Sequence, residues 1–192
     1  LGIDTDNPDY GSESFAITAS VATLVEGKLY YGFMYDCGIA VIAGDGRIKL
    51  LTSPGPKKPK TKELPDHLKQ LKEESKELRA YRNKIRNNPE FIVDGDMFSH
   101  GVLNGQERAL PYVETGEVEM ENNDTIVVFS DGFYHYFEIP EFSDILSKAN
   151  LDELGPKLDE IATRMLREQI SSQDYGVIRN YGTERTLVVM RI

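Results

Sequence analysis

The chain has 192 residues, 40% hydrophobic and 28% charged, which is enough for one globular domain with a full core. A net charge of −10 argues against a general nucleic-acid binder, because phosphate backbones would be repelled, and it is compatible with a cation site. No apolar run approaches membrane-spanning length, no signal peptide is visible, and the lone Cys37 excludes an internal disulfide and fits a reducing, cytoplasmic setting. The first residue is Leu1 rather than Met, so the chain is expected to be part of a longer gene product.

Residues 1–13 are rich in Asp, Gly, Asn and Pro and read as an irregular entry. Apolar residues then alternate at Phe15, Ile17, Ala19 and Val21, which suits a strand with one face on a core, although the alanines leave a helix open, and Gly27-Lys28 supplies a turn. A second strand is expected over residues 29–36 and a third over 38–46, closed by Asp45-Gly46 and leading into 47–53. The short turns make this segment read as an antiparallel meander. Residues 54–62, PGPKKPKTK, suit only an exposed connector. Over 64–87 the pattern becomes helical, with Leu64, Leu68, Leu71, Leu78 and Ile85 on one narrow stripe among Glu, Lys and Arg.

Short strands follow around 90–93, 109–114 and 117–120, separated by turns at Asp94-Gly95, Asn104-Gly105 and Thr115-Gly116. Two helices are expected near the end of the chain. One covers 140–148, and Gly155-Pro156 introduces a longer one with Leu158, Ile161, Met165, Leu166 and Ile170 on a single face. Residues 184–192 close the chain with TLVVMRI, a run short enough to be a buried strand.

The most telling stretch is 125–133, TIVVFSDGF, entered through the polar turn Glu121-Asn122-Asn123-Asp124. The β-branched and aromatic run from Thr125 to Phe129 reads as a buried strand that ends abruptly in Ser130-Asp131-Gly132. Such a strand would fix Asp131 at its tip. Gly132 would let the backbone turn away while the carboxylate stays aimed into a cleft, a good way to hold a metal ligand. On these residues alone, however, a plain Asp-Gly hairpin turn is the favoured reading.

Order adds what no single motif carries. A strand ending near Asp36, a GxLxG turn at Gly101 to Gly105, an apolar strand ending in SDG, a helical segment and a final TLVV strand follow one another. That order resembles the metal-dependent protein phosphatases, the PPM family, including the bacterial branch typified by the stage II sporulation E phosphatase. The matching stretches are Tyr35-Asp36-Cys37-Gly38, Ser130-Asp131-Gly132 and Thr183-Glu184-Arg185-Thr186, and the likeness covers roughly 14–192. The resemblance implies an α+β fold, an antiparallel β-sandwich core flanked by helices. It also implies hydrolysis of phosphoserine or phosphothreonine monoesters by a water bridging two Mn²⁺ or Mg²⁺ ions, hard cations that prefer carboxylate oxygen.

Carried over by position, the resemblance makes Asp131 the central metal ligand, with Gly132 beside it, and Asp36 a ligand of a weaker, additional ion. Tyr35, Cys37 and Gly38 depart from the family's Gly-Asp-Ser-Arg-like element. Thr183 stands where the family keeps a carboxylate, so either Glu184 reaches in as the substitute ligand or this ligand is missing. His135 stands where many relatives have an acid and would orient a metal-bound water or contact phosphate. His100 is expected to be structural. The upstream Asp-bearing strands of the family have no counterpart here, and Asp4 and Asp6 are not promoted to that role.

The leading expectation is therefore a single phosphatase-like domain over 1–192 that acts on a phosphoprotein substrate in bacterial signalling. No nucleic-acid or membrane partner is expected. The runner-up is a catalytically inactive phosphatase-like module that binds a regulatory protein through the helix over 64–86. A third reading is an antiparallel α+β domain whose Asp-Gly turns are coincidental.

Overall fold

In the computed structural model, which describes residues 16–52, 76–93, 96–97, 99–172 and 185–192, the strands fall where β-branched and aromatic residues concentrate. They are β1 (Ser20–Val25), β2 (Lys28–Met34), β3 (Gly38–Ile42), β4 (Ile48–Leu50), β5 (Ile92–Val93), β6 (Asp96–Met97), β7 (Val113–Glu119), β8 (Thr125–Phe129) and β9 (Leu187–Arg191). The α-helices are α1 (Lys76–Ile85), α2 (Pro140–Lys148) and α3 (Leu151–Ser172), and 3₁₀ helices cover Glu107–Tyr112 and Asp131–Glu138. The strands make a three-stranded sheet ordered β1-β2-β7, a four-stranded sheet ordered β4-β3-β8-β9 and a small β5-β6 pair. The result is an α+β fold built on antiparallel sheets.

Two units are distinguished along the chain, Leu1–Ala19, Gly32–Asp36 and Ser53–Thr115 in one and Ser20–Tyr31, Cys37–Thr52 and Gly116–Ile192 in the other. The second holds the four-stranded sheet. There β8 runs antiparallel to β3 (Gly38 opposite Phe129, Ile42 opposite Thr125) and to β9 (Phe129 opposite Leu187, Thr125 opposite Arg191). Alternation then assigns the two faces. Ala40, Ile42, Val127 and Phe129 pack with Phe133, Tyr136, Ile139, Phe142, Leu146, Leu158, Ile161 and Ala162 of the helical layer. Val41, Ile126 and Val128 on the other face pack with Leu29, and with Ala22 and Val118, from the three-stranded sheet. Being covered on both faces is why β3 and β8 read as continuous apolar runs.

The other unit is knit by Asn87, which takes a left-handed conformation (φ +48°) just past α1, as Asn does at helix C-termini. Its side chain is buried and fully bonded. Nδ2 donates to the Val102 carbonyl at 2.9 Å and to Asn104 Oδ1 at 3.0 Å, while Oδ1 accepts from the Val102 amide at 2.8 Å.

Several sequence expectations are corrected. The meander is split, because β2 belongs to one sheet and β3 to the other. Thr115-Gly116 is no turn: β7 runs straight through it, and the end of the Tyr31 side chain lies over Gly116, where a Cβ would stand. Residues 107–112, partly expected as strand, form a 3₁₀ helix around Pro111. The long terminal helix starts at Leu151 and carries Gly155-Pro156 inside it, and Leu166 is exposed rather than on its buried face. β9 is an edge strand with Val188 and Met190 exposed, and its other face, Leu187 and Val189, is only half-buried. Of the helix expected over 64–87, residues 64–75 lie outside the described ones, as do Asp4, Asp6 and residues 54–62.

Candidate functional site

The site is built at one end of β8. The strand's β-branched run holds it between β3 and β9, and its last residue, Phe129, faces Gly38 on one side and Leu187 on the other. Gly38 is required by this pairing, since a Cβ there would lie 2.1 Å from the Phe129 ring. Past Phe129 the chain turns into the Asp131–Glu138 3₁₀ helix, with the Phe133 amide donating to the Ser130 carbonyl at 3.0 Å. Asp131-Gly132 therefore opens a helix and does not make the hairpin turn that the dipeptide alone favours.

Ser130 occupies the helix N-cap without capping it. Its Oγ instead accepts the Thr186 amide at 3.0 Å, while its own amide donates to the Thr186 carbonyl at 3.0 Å. This reciprocal pair fastens the tip of β8 to the entry of β9. Asp131 follows directly, exposed to solvent, and Gly132 is half-buried. In a 3₁₀ helix side chains three apart eclipse, so Asp131 shares its side with Tyr134, and His135 lies about 120° around the axis. The two proposed catalytic side chains thus do not share one side of their helix.

Tyr134 anchors the same helix to β3. Its hydroxyl donates to the Cys37 carbonyl at 3.2 Å and stands 3.0 Å from Thr52 Oγ1, which accepts the Ile39 amide at 2.9 Å. With the Tyr134 proton directed at Cys37, the Thr52 hydroxyl donates to Tyr134, and every group in the chain is satisfied. Arg185, one residue before Thr186, lies across the Phe133 and Tyr136 rings, its guanidinium carbon 5.9 and 5.7 Å from their centroids. It also donates to the Tyr136 hydroxyl and stands 3.5 Å from Asp159 of α3. Sequence reading missed Arg185, Tyr134 and Thr52. The aromatic density of 133–137 was the available signal.

Asp36 belongs to the other unit. It is half-buried in the turn after β2, next to Tyr35, which takes φ +62°, an uncommon conformation for a large residue. The Tyr35 ring stacks on His100 at 4.5 Å between centroids. His100 has its amide on the Ile85 carbonyl at 3.0 Å and its carbonyl on the Asn87 amide at 2.9 Å. Burial, reinforced by the nearby Arg86 charge, pushes its pKa down to about 4, so the ring is neutral at pH 7. A neutral, stacked imidazole fits the structural role expected for it.

Asp131, Gly132 and His135 share one short helix, Asp36 lies in the other unit, and Thr183 and Glu184 fall outside the described residues. Asp131 offers a hard carboxylate oxygen at an exposed strand end, suited to Mg²⁺ or Mn²⁺. Among the described residues, however, no three His, Cys, Asp or Glu side chains gather closely enough to hold a metal ion. No helix among the described residues is long and apolar enough to cross a membrane.

No protein-family model matches the chain, and no curated protein matches it. Solved structures do. The chain is similar to PppA, a key regulatory component of T6SS in Pseudomonas aeruginosa, at 12% identity and TM-score 0.49, covering 91% of this chain and 57% of that one. It is similar to the Mycobacterium tuberculosis serine/threonine phosphatase PstP/Ppp at 14% identity and TM-score 0.47, covering 83% and 57%. It is also similar to the phosphatase domain of the cell fate determinant SpoIIE from Bacillus subtilis at 14% identity and TM-score 0.37, covering 92% and 55%. The chain spans little more than half the length of each.

Proposed function

We propose that the chain forms part of a metal-dependent serine/threonine phosphatase of the PPM type, related to the sporulation E branch, with Asp131 as its central metal-binding carboxylate. The observation that supports this reading is the fastening of Ser130 to Thr186. It makes the tip of β8, and the Asp131 that follows it, a fixed point beside the segment that in the resembling family carries the closing ligands.

In this reading Glu184 substitutes for the ligand absent at Thr183, Asp36 serves a weaker ion, and Gly132 and His135 belong to the surroundings of the site. Bound Mn²⁺ or Mg²⁺ would supply an activated water and neutralise charge on the phosphoryl group. The substrate class is a phosphoprotein monoester. The test is phosphate release from a phosphothreonine peptide with Mn²⁺ present. Turnover that depends on Mn²⁺ and falls at least a hundredfold in Asp131→Asn is expected, on the scale of losing one electrostatic element of catalysis. Turnover equal in the variant contradicts the reading.

Thr183, a hydroxyl where the family places a carboxylate, favours a second reading. That reading is a phosphatase-like module without catalysis that binds a phosphorylated or regulatory protein, with α1 and the apolar stripe before it as the contact surface. It predicts no turnover together with retained binding of a phosphopeptide.

A further inference from the structure

We propose that Arg185 is a positioning residue that locks the Asp131–Glu138 helix to the end of the sheet and thereby fixes Asp131, an inference that rests on the reading of Asp131 as the metal-site carboxylate. A 3₁₀ helix of this length has weak internal hydrogen bonding and is held by what surrounds it. Asp131 is exposed, so its placement depends on the residues on either side. Before it stands Ser130, bonded twice to Thr186. After it stand Phe133 and Tyr136, both buried, and these are the two rings covered by Arg185. Residues 185 and 186 thus hold both ends of the segment that carries Asp131.

The chemistry requires arginine. The guanidinium is a plane that lies over aromatic rings while its edge donates to the Tyr136 hydroxyl and faces Asp159. The side chain is only 18% exposed, against 77% for Asp159, so most of its hold comes from the rings and the hydroxyl and little from the solvated ion pair. Lysine would keep the charge near Asp159 and lose the plane.

The test has two arms, on the wild type and on Arg185→Gln and Arg185→Lys. Hydrogen exchange without metal is expected to show residues 131–138 exchanging roughly tenfold faster in Arg185→Gln, with only partial recovery in Arg185→Lys and with β3 and β8 unchanged. Unchanged exchange over 131–138 overturns the proposal whatever happens with metal. So does an acceleration spread evenly through β3 and β8, which would make Arg185 a residue of general stability.

In the second arm Mn²⁺ is titrated. Arg185→Gln is expected to weaken binding about tenfold when Asp131 is present and to add nothing in the Asp131→Asn background, because it acts through Asp131. Equal losses in both backgrounds overturn the coupling. If Mn²⁺ binding proves insensitive to Asp131 altogether, the phosphatase reading falls, and the exchange arm still decides whether Arg185 holds the helix.

Discussion

At the scale of single residues, the chain repeatedly uses a polar side chain to fix one backbone segment against another. Ser130 gives up capping its own helix to bond Thr186, Thr52 takes the Ile39 amide, and Asn87 closes the end of α1. His100 joins this group through its stack on Tyr35 and carries a pH signature. Its folded pKa is lowered to about 4 from the ordinary 6.5, first by burial and then by Arg86. The unfolded chain therefore takes up a proton that the folded chain refuses. The stability from the neutral ring is fully present above about pH 6.5 and is lost as pH falls towards 4, by about 3 kcal/mol across that window. His100→Phe keeps a stacking ring and removes the titration. Denaturant unfolding of the variant between pH 7 and pH 5 is expected to show a shallower loss of stability than the wild type, and parallel curves would refute this role for His100.

At the scale of elements, β8 was legible as a buried strand because its short run of Thr, Ile, Val and Phe is rich in β-branched and aromatic residues. The helices at 140–148 and beyond 155 were legible from their spacing and their prolines. What followed β8 was not. Asp-Gly carries a strong hairpin signal, and only the aromatics packed beneath, Phe133, Tyr136 and Phe142, turn the segment into a 3₁₀ helix. Thr115-Gly116 misled for a related reason. The glycine there serves the close approach of Tyr31, not a turn.

Gly38 offers the element-level test. A methyl at this position meets the Phe129 ring, which is itself packed against Tyr134 and Phe137 at 4.8 Å between centroids. Gly38→Ala is expected to cost about 1–3 kcal/mol, as overpacking of a core does, and to lower the unfolding midpoint measured by circular dichroism. A neutral effect would mean that the β3–β8 pairing is looser than this register requires.

At the scale of the whole molecule, the antiparallel sheets flanked by helices were expected from the family resemblance and the short turns predicted only an antiparallel meander, while the assignment of β2 and β3 to different sheets was not foreseen. Alternation tells which residues face inward and leaves open which sheet a strand joins. The candidate site was legible only in part: Asp131 could be placed at a strand end from its neighbours, but the 3₁₀ helix that begins with it could not be read from the sequence. The groups around the segment that carries Asp131 are the side chains of residues 130, 133, 136 and 185 and the backbone of residue 186, contacts that only the folded chain reveals.

The central claim is that Asp131, fixed at the tip of β8, is a metal-binding carboxylate. The most direct measurement is a Mn²⁺ titration followed by electron paramagnetic resonance, comparing the wild type with Asp131→Asn at pH 7. The account predicts saturable binding by the wild type that weakens at least tenfold in the variant, about 1.4 kcal/mol or more of lost binding energy. Superimposable titrations would contradict it.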